Sequence, residues 1–140
     1  MSEADDYAGI MRAYSAYSIA VDRGRWDLLR EAFAEDGVWE MQDGTAIAGV
    51  EEIIAAQPAR QAKRPKNALH VPANILISVD GDRAQVDSDW LWYGAPDGVP
   101  WQLLQFGYYD DQFVRTPAGW RIAYRKITRV VGDSSLFAPR

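Results

Sequence analysis

The 140-residue chain contains no cysteine and only one histidine. The absence of cysteine excludes disulfides, thiolate nucleophiles and Cys-based zinc or iron–sulfur sites. One imidazole without cysteine also excludes a usual zinc site, although a carboxylate-rich metal site with a single histidine stays open. The glycine-rich phosphate-binding motifs and the nucleophile-elbow motif are missing as well. Any role for an imidazole therefore falls on His70 alone.

Positive charge is scarce, because 15 Lys and Arg stand against 20 Asp and Glu and give a formal net charge of −5. Such a chain is poorly suited to holding a polyanion, so we expect no nucleic-acid partner. A short basic cluster follows a predicted helix, and a solvated helix end explains it better than a binding site. The cluster consists of Arg60, Lys63, Arg64 and Lys66.

Long apolar runs are absent, since none approaches the ~18 residues that a membrane helix needs. The acidic start MSEADDYAG lacks the basic and apolar regions of a secretory signal. The sequence therefore predicts a cytoplasmic protein without a membrane partner. With 48% hydrophobic and 12% aromatic residues, we expect a single globular domain over residues 1–140.

Apolar side chains at three- and four-residue steps predict three N-terminal helices, at Asp5–Asp22, Trp26–Phe33 and Val50–Ala62. Gly24 is expected to end the first helix, and Pro58 to end or kink the third. Asp36-Gly37 predicts a turn, followed by a brief strand at Val38–Met41 that pairs with Thr45–Gly49.

After Pro65 the pattern changes to period two and predicts four long strands, at Ala68–Val79, Arg83–Tyr93, Gln102–Val114 and Trp120–Val131. Short, turn-rich joins indicate an antiparallel meander. Helices followed by strands favour the α+β class, with a sheet that curls around its own apolar face while the helices close one side. The mouth of such a cone admits a small molecule.

His70 lies on a mixed polar face of the first long strand, together with Pro72, Asn74, Leu76 and Ser78. The alternate residues, from Leu69 to Val79, are all apolar and are predicted to be core. A polar site can therefore be built around His70 and Asn74. A surface or structural histidine is the alternative.

Asp22 is the candidate partner of His70, at the end of the first predicted helix. Its carboxylate can accept the N–H of one ring nitrogen and leave the other nitrogen free to take a proton. Alternatively, Asp22 is only a turn residue in VDRGRW. Tyr14 and Tyr17 precede it on the same helix, and either phenol can border a cleft and donate a hydrogen bond to a carbonyl or enolate oxygen.

Aromatic side chains supply further candidates for a pocket lining, although such stripes are often ordinary core. The candidates are Trp39, Trp90, Trp92, Tyr109 and Phe113. Asp110 and Asp111 are predicted on opposite faces of one strand, so they do not form a carboxylate dyad, and Asp111 faces the same way as Tyr109.

The order of the segments YSIAVDRGRWDLLREAFAEDGVWE, GVEEI, LHVPANILISVDGDRAQV and GYYDDQFVRTPAGWRIAYRKI resembles the SnoaL-like branch of the nuclear transport factor 2-like superfamily. The resemblance covers nearly the whole chain. It implies a cone-shaped α+β barrel, in which three N-terminal helices close a strongly bent, mostly antiparallel sheet around a pocket. Members of this superfamily form dimers or trimers.

Within the superfamily, the segment Asp22–Arg30 and the strand histidine are similar to scytalone dehydratase and bile-acid dehydratases. This similarity implies that Asp22 pairs with His70, which acts as general base and acid, and that Tyr17 matches the tyrosine of the bile-acid type. Scytalone dehydratase uses a second histidine, which this chain lacks. Ketosteroid isomerase shares the fold, but Met41 falls about where its catalytic aspartate would stand.

The expected function is a cofactor-independent dehydratase, or an enolising isomerase or cyclase, that acts on a neutral, apolar, ring-containing carbonyl compound such as a polyketide or steroid-like molecule. His70 would move the protons, Asp22 would hold its tautomer, and Tyr17 would hydrogen-bond the oxyanion. No cofactor is expected because every step is a proton transfer.

Two other functions stay open. One is a non-catalytic protein that binds a small molecule in the same fold. The other is an epoxide-opening hydrolase or cyclase, in which Asn74, Asp89 and Asp111 would hold a water. In either case we expect a homodimer or homotrimer, because a copy usually covers an exposed sheet face in a domain this small.

Overall fold

The computed structural model describes residues 2–132, in which N-terminal helices pack against one curved six-stranded sheet. The helices are α1 (Glu3–Arg23), α2 (Leu29–Ala32), α3 (Val50–Ala55) and α4 (Gln57–Gln61), with a 3₁₀ turn at Trp26–Leu28. The strands are β1 (Phe33–Glu40), β2 (Ala46–Ala48), β3 (Ala68–Asp80), β4 (Arg83–Gly94), β5 (Gln102–Thr116) and β6 (Gly119–Gly132). The predicted α+β class is confirmed. Over these residues, no helix has the length and apolar character to cross a membrane.

The sheet has the strand order β2-β1-β6-β5-β4-β3. Only β1 and β6 pair in parallel, and the other neighbours are antiparallel, so the predicted meander of four long strands is confirmed. Among the described strands, β2 and β3 are the two edges and the sheet stays open. Helix α1 contacts β3 and β6 and covers the inner face, where the core lies.

Helix α1 begins and ends as its sequence dictates. Ser2 forms a capping box with Asp5, which satisfies backbone N–H groups that the first turn leaves free. Gly24 takes the left-handed conformation, with a φ of 66°, and ends the helix. The buried face includes Ile10, Tyr14 and Tyr17. This boundary leaves Asp22 in the last turn, beside the sheet.

The second predicted helix is shorter than expected. A 3₁₀ turn and α2 replace it, and Phe33 already belongs to β1. The turn predicted at Asp36-Gly37 is wrong, because both residues lie within β1, where the pairing with β6 shifts register. A Cβ on Gly37 would lie 2.8 Å from the carbonyl oxygen of Ile122, so a glycine is what allows the strands to approach here.

The third predicted helix divides into α3 and α4. The break comes at Ala56, just before Pro58, which lies in the first turn of α4. Proline fits a first turn because its missing N–H would have no helical partner there, whereas it disrupts a helix interior. The expected interruption at Pro58 is thus confirmed.

The predicted apolar face of β3 is wrong in the N-terminal half of the strand. The pairing of β3 with β4 shifts beside Asn74, which has a φ of 49°. This bulge reverses the alternation, so that Leu69 is 41% exposed while Ala68, like Ile77 beyond the bulge, packs against the core. His70 therefore faces the inner side of the sheet, and not a face opposite the core.

Candidate active site

A cavity of about 620 Å³ opens on the inner side of the sheet. Residues from α1, α4 and strands β1, β3, β4, β5 and β6 line it, so the curvature of the sheet creates the space. The volume lies within the range of small-molecule sites. Five of the predicted site residues contribute aromatic rings to its wall: Tyr17, Trp39, Trp90, Trp92 and Tyr109.

His70 lines this cavity and is held twice by Asp22. The Asp22 carboxylate accepts the backbone N–H of His70 at 2.8 Å, and its other oxygen lies 2.5 Å from Nδ1 of the ring. Both side chains are largely buried, at 13% and 14% exposure. Because a carboxylate oxygen only accepts, Nδ1 carries the proton and Nε2 is the basic nitrogen of the neutral ring. This carboxylate–imidazole arrangement suits a general base.

Burial lowers the pKa of His70 from its ordinary value of 6.5. The hydrogen bond and negative charge of Asp22 act in the opposite direction, while the positive charges of Arg64 and Arg125 reinforce the lowering. Loss of hydration destabilises the imidazolium more than Asp22 stabilises it. His70 is therefore neutral at pH 7, which is the form able to remove a proton.

Tyr17 lies next to His70, with ring centroids 6.4 Å apart in an edge-on arrangement. Its ring also meets Tyr109 at 5.8 Å, and the guanidinium carbon of Arg125 lies 4.4 Å from the Tyr17 ring centroid. Trp92 stacks on the other side of the imidazole, at 5.6 Å. A phenol and an imidazole are therefore neighbours in the cavity wall, and a buried cation lies behind the phenol ring.

Arg125 and Asp111 form a fully buried ion pair beneath these aromatic rings. The guanidinium donates two hydrogen bonds of 2.8 Å to the two carboxylate oxygens, and its carbon lies 3.8 Å from the Tyr109 ring centroid. Burial alone would lower the pKa of Arg125, but the charge and hydrogen bonds of Asp111 raise it, so the cation persists. Burial also raises the pKa of Tyr109 well above its usual value.

The sequence did not single out Arg125. Regular alternation from Trp120 and Ile122 would turn Arg125 outward, but the β5–β6 pairing shifts register between these residues and Arg125. The resulting bulge turns Arg125 into the core. The segment that contains Arg125 has no Asp or Glu, so its sequence gives no sign that this arginine has a buried partner of opposite charge.

Three predicted lining residues lie outside the cavity. Tyr14 is buried in the core, where its hydroxyl donates to Asp111 at 2.7 Å and lies 2.9 Å from the Ser88 hydroxyl. Phe113 stacks on Tyr14 with ring centroids 5.9 Å apart. Asn74 is exposed at the β3 bulge. Of the two helix tyrosines, only Tyr17 therefore faces the cavity.

The three residues named for epoxide opening do not come together at one site. Asn74 donates to Asp89 at 2.7 Å on the exposed surface, while Asp111 is committed to Arg125 in the core. The β3 bulge and the alternation of β4 place the first pair away from the cavity. Within residues 2–132, no group of three or more His, Asp or Glu side chains is placed to hold a metal ion.

The interpretation of the basic cluster as a solvated helix end is wrong for Arg60 and Arg64. Both line the cavity, together with Arg129 and Gln105, which the sequence also did not single out. Arg60 lies over the Trp39 ring at 4.5 Å from the centroid, so it forms part of the wall. Arginine stacked on an aromatic ring is a common arrangement in binding sites.

Comparison with known proteins adds a family and several related folds. A family model described as a SnoaL-like domain matches residues 2–126. The uncharacterised protein Rv2910c of Mycobacterium tuberculosis is 31% identical over 130 residues, which cover 92% of this chain and 88% of that protein. Among solved structures, Kfla4162 from Kribbella flavida has a TM-score of 0.83 at 22% identity and covers 96% of this chain and 98% of its own.

A Novosphingobium aromaticivorans protein with the provisional name scytalone dehydratase is another structural neighbour. Its TM-score is 0.75 at 21% identity, and the alignment covers 89% of this chain and 84% of that chain. Similarity at this level of identity shows a shared fold and no more.

Proposed function

We propose that this chain, which belongs to the SnoaL-like domain family of the nuclear transport factor 2-like superfamily, is a cofactor-independent dehydratase or an enolising isomerase or cyclase. Its substrate would be a ring-containing carbonyl compound such as a polyketide or a steroid-like molecule. The observation that carries this proposal is the contact between Asp22 and the His70 ring at the wall of an aromatic cavity.

The first step is removal of a proton from the carbon next to the carbonyl. Neutral His70 takes the proton on Nε2, and the electron pair of the C–H bond moves to form an enolate. Asp22 keeps the proton on Nδ1 and stabilises the imidazolium. Tyr17 donates its hydroxyl proton as a hydrogen bond to the enolate oxygen, and Arg125 beneath its ring favours the negative charge.

The second step decides the product. In a dehydration, the His70 imidazolium returns its proton to the β-hydroxyl group, which leaves as water while the enolate electrons form the new double bond. In an isomerisation, the same proton goes to a different carbon and no atom is lost. One imidazole suffices for both steps because the proton that it takes is the proton that it gives back.

The aromatic wall supports a flat, largely apolar ring as the substrate body. Trp90 stacks on Tyr109 with ring centroids 6.1 Å apart, and both face the cavity. Flat rings pack well against such side chains and bury a large apolar area. The cavity has room for a molecule of several fused rings.

The direct test is a screen of carbonyl-bearing polyketides and steroids, with the change in mass as the readout. Loss of one water identifies dehydration, and conversion without a change in mass identifies isomerisation or cyclisation. On a converted compound, His70→Ala should lower kcat/KM by roughly 10²- to 10⁴-fold. Asp22→Asn should lower it by a comparable factor, up to roughly 10⁴-fold, because the amide can donate to Nδ1 and leave the proton on Nε2, where the base is needed.

Asp27→Asn is the matched control for Asp22→Asn, because Asp27 is exposed and lies outside the cavity lining. It should retain the activity of the unaltered protein. Full activity in folded His70→Ala would contradict the proposal. The rival function, a protein that only binds its ligand, predicts tight binding without any product and equal affinity in His70→Ala.

We also propose that the chain self-associates through the outer face of the sheet. Leu69, Tyr93 and Leu103 are cross-strand neighbours on β3, β4 and β5 and are 41%, 37% and 42% exposed. A row of exposed apolar side chains on a small domain favours burial against a second copy. Sedimentation equilibrium should give a dimer or trimer, and Leu103→Glu should shift it towards monomer. A monomer at all concentrations would contradict this proposal.

A further inference from the structure

Besides the proposed acid–base pair, three arginines line the cavity: Arg60 from α4, Arg64 just after α4, and Arg129 from β6. A more open hollow of about 390 Å³ shares all three of them with the cavity and adds Lys63. Four cationic side chains from two separate parts of the chain therefore surround one continuous opening. The net charge of the whole chain is −5, so this local excess is opposite in sign to the molecule.

None of the three arginines forms an ion pair with a carboxylate among residues 2–132. Most of the ion pairs that do form there involve another arginine. Of the described residues that line the cavity, Asp43 is the one carboxylate, so three arginines stand against a single negative charge; one Asp43 oxygen accepts the backbone N–H of Thr45 at 2.9 Å. The mouth of the cavity thus has an excess of positive charge that the described residues leave unbalanced.

Arg60 has the clearest unused hydrogen-bonding capacity. Its Nε is buried and finds no acceptor among the described residues, and one of its terminal nitrogens contacts only the sulfur of Met41, at 3.6 Å. Burial lowers the pKa of Arg60; Tyr17 opposes this, and the nearby charge of Arg64 adds to the lowering. Bringing two guanidinium groups together costs free energy that an anion between them would recover.

We propose that these arginines form a binding site for an anionic group, and that the substrate is a ring-containing carbonyl compound with a carboxylate or similar acidic substituent away from the reacting carbon. The aromatic wall would hold the ring, and Arg60, Arg64 and Arg129 would hold the acid at the mouth. This replaces the neutral substrate that the sequence favoured. The inference rests on the proposed function only in assuming that the substrate occupies this cavity.

Binding of 2-naphthoate and of its neutral amide, 2-naphthamide, tests the inference without any turnover. The two probes have the same ring and nearly the same shape, and isothermal titration calorimetry measures each Kd. The unaltered protein should bind the carboxylate roughly tenfold or more tightly than the amide, since hydrogen bonds to a charged acceptor are stronger than neutral ones. High salt should reduce this preference.

The arginine variants locate the site. Arg60→Gln and Arg64→Gln should each weaken naphthoate binding by roughly fivefold while leaving naphthamide binding almost unchanged. Arg83→Gln removes the same charge from an exposed position outside the cavity lining, and it should leave both affinities as they are. Arg60→Lys keeps the charge and provides a second variant if Arg60→Gln fails to fold.

The inference is overturned if the unaltered protein binds naphthoate no more tightly than naphthamide, if it fails to bind naphthoate at millimolar concentration, or if the two cavity arginine variants keep the full preference. His70→Gln separates this inference from the proposed function. A His70→Gln protein that keeps the carboxylate preference supports the anion site whatever the outcome of the activity screen. If the unaltered protein shows no preference for naphthoate over naphthamide but converts a substrate in a reaction that needs His70, the anion site alone is overturned.

Discussion

Asp22 holds His70 through two bonds, one to the backbone and one to the ring. The backbone bond fixes where the strand residue sits relative to α1, and the ring bond fixes which nitrogen is basic. A carboxylate that served only to end α1 would need neither bond. This double contact holds the imidazole in the cavity wall with a defined tautomer, which supports the proposal that the pair acts as a base.

The pH dependence of kcat/KM should report this base. Burial lowers the pKa of His70 from 6.5, so the neutral, active form persists below that pH, and the acid limb of the profile should lie below pH 6.5. Asp22→Asn removes a charge that raises this pKa, so the limb should move to still lower pH while the maximum rate falls. An acid limb above pH 6.5, or one that Asp22→Asn leaves in place, would contradict this.

Asp111 should be essential for stability although Asp110 beside it is not. Asp111→Ala leaves the Arg125 cation buried without its partner, and removal of one member of a buried pair costs about 3–5 kcal/mol of unfolding free energy. Asp110→Ala is the matched control, because that side chain is exposed on the opposite face of β5. Urea denaturation measures both. Similar stabilities for the two variants would show that the buried pair is not the determinant.

The face of a residue was predictable where the strand alternates regularly, and it was not predictable across a bulge. On β4 and β5, alternation placed Trp90, Trp92, Tyr109 and Asp111 on the inner face, where the structure has them. On β3 the bulge reverses the alternation, so the predicted apolar face holds only beyond Asn74, and on β6 a register shift turns Arg125 into the core. A bulge depends on how two strands pair over a distance, so a single strand's pattern does not reveal it.

The clue to the β3 bulge lay in Asn74, since asparagine is one of the few residues that adopt the left-handed conformation. The polar side chain of Asn74 predicts a place in the site, but the structure shows that its backbone conformation is the feature that matters. His70 was correctly singled out, but the bulge gives a different reason for its position: it faces inward, towards Tyr17 and Trp92.

Gly107 controls the close approach of β5 and β6 below the cavity. A Cβ at this position would lie 1.8 Å from the backbone oxygen of Thr128, so Gly107→Ala must push the two strands apart. We expect a marked loss of stability together with weaker binding of 2-naphthoate, because Arg129 follows on β6. Thermal unfolding and calorimetry measure the two effects, with exposed Gln112→Ala on the same strand as control. A Gly107→Ala protein of normal stability would contradict this role.

In the proposed function, the fold separates two tasks. Helix α1 and the curved sheet bury the proposed acid–base pair, while α4 and the C-terminal part of β6 contribute arginines to the cavity wall. The order of the predicted helices and strands correctly indicated an α+β fold, but the net charge averages over the whole surface. The net charge of −5 gives no sign that the cavity opening is positively charged, because only the fold brings Arg60 and Arg64 to the same cavity as Arg129.

Proton abstraction by His70 can be measured directly by hydrogen exchange. Ring ketones that bind the cavity would be incubated in D₂O with the protein, and incorporation of deuterium next to the carbonyl would be followed by mass spectrometry. This reports the first step whether the product is an alkene or an isomer. The unaltered protein should exchange the proton roughly 10²-fold or more faster than His70→Ala. Equal exchange by the two folded proteins would contradict the assignment of His70 as the base.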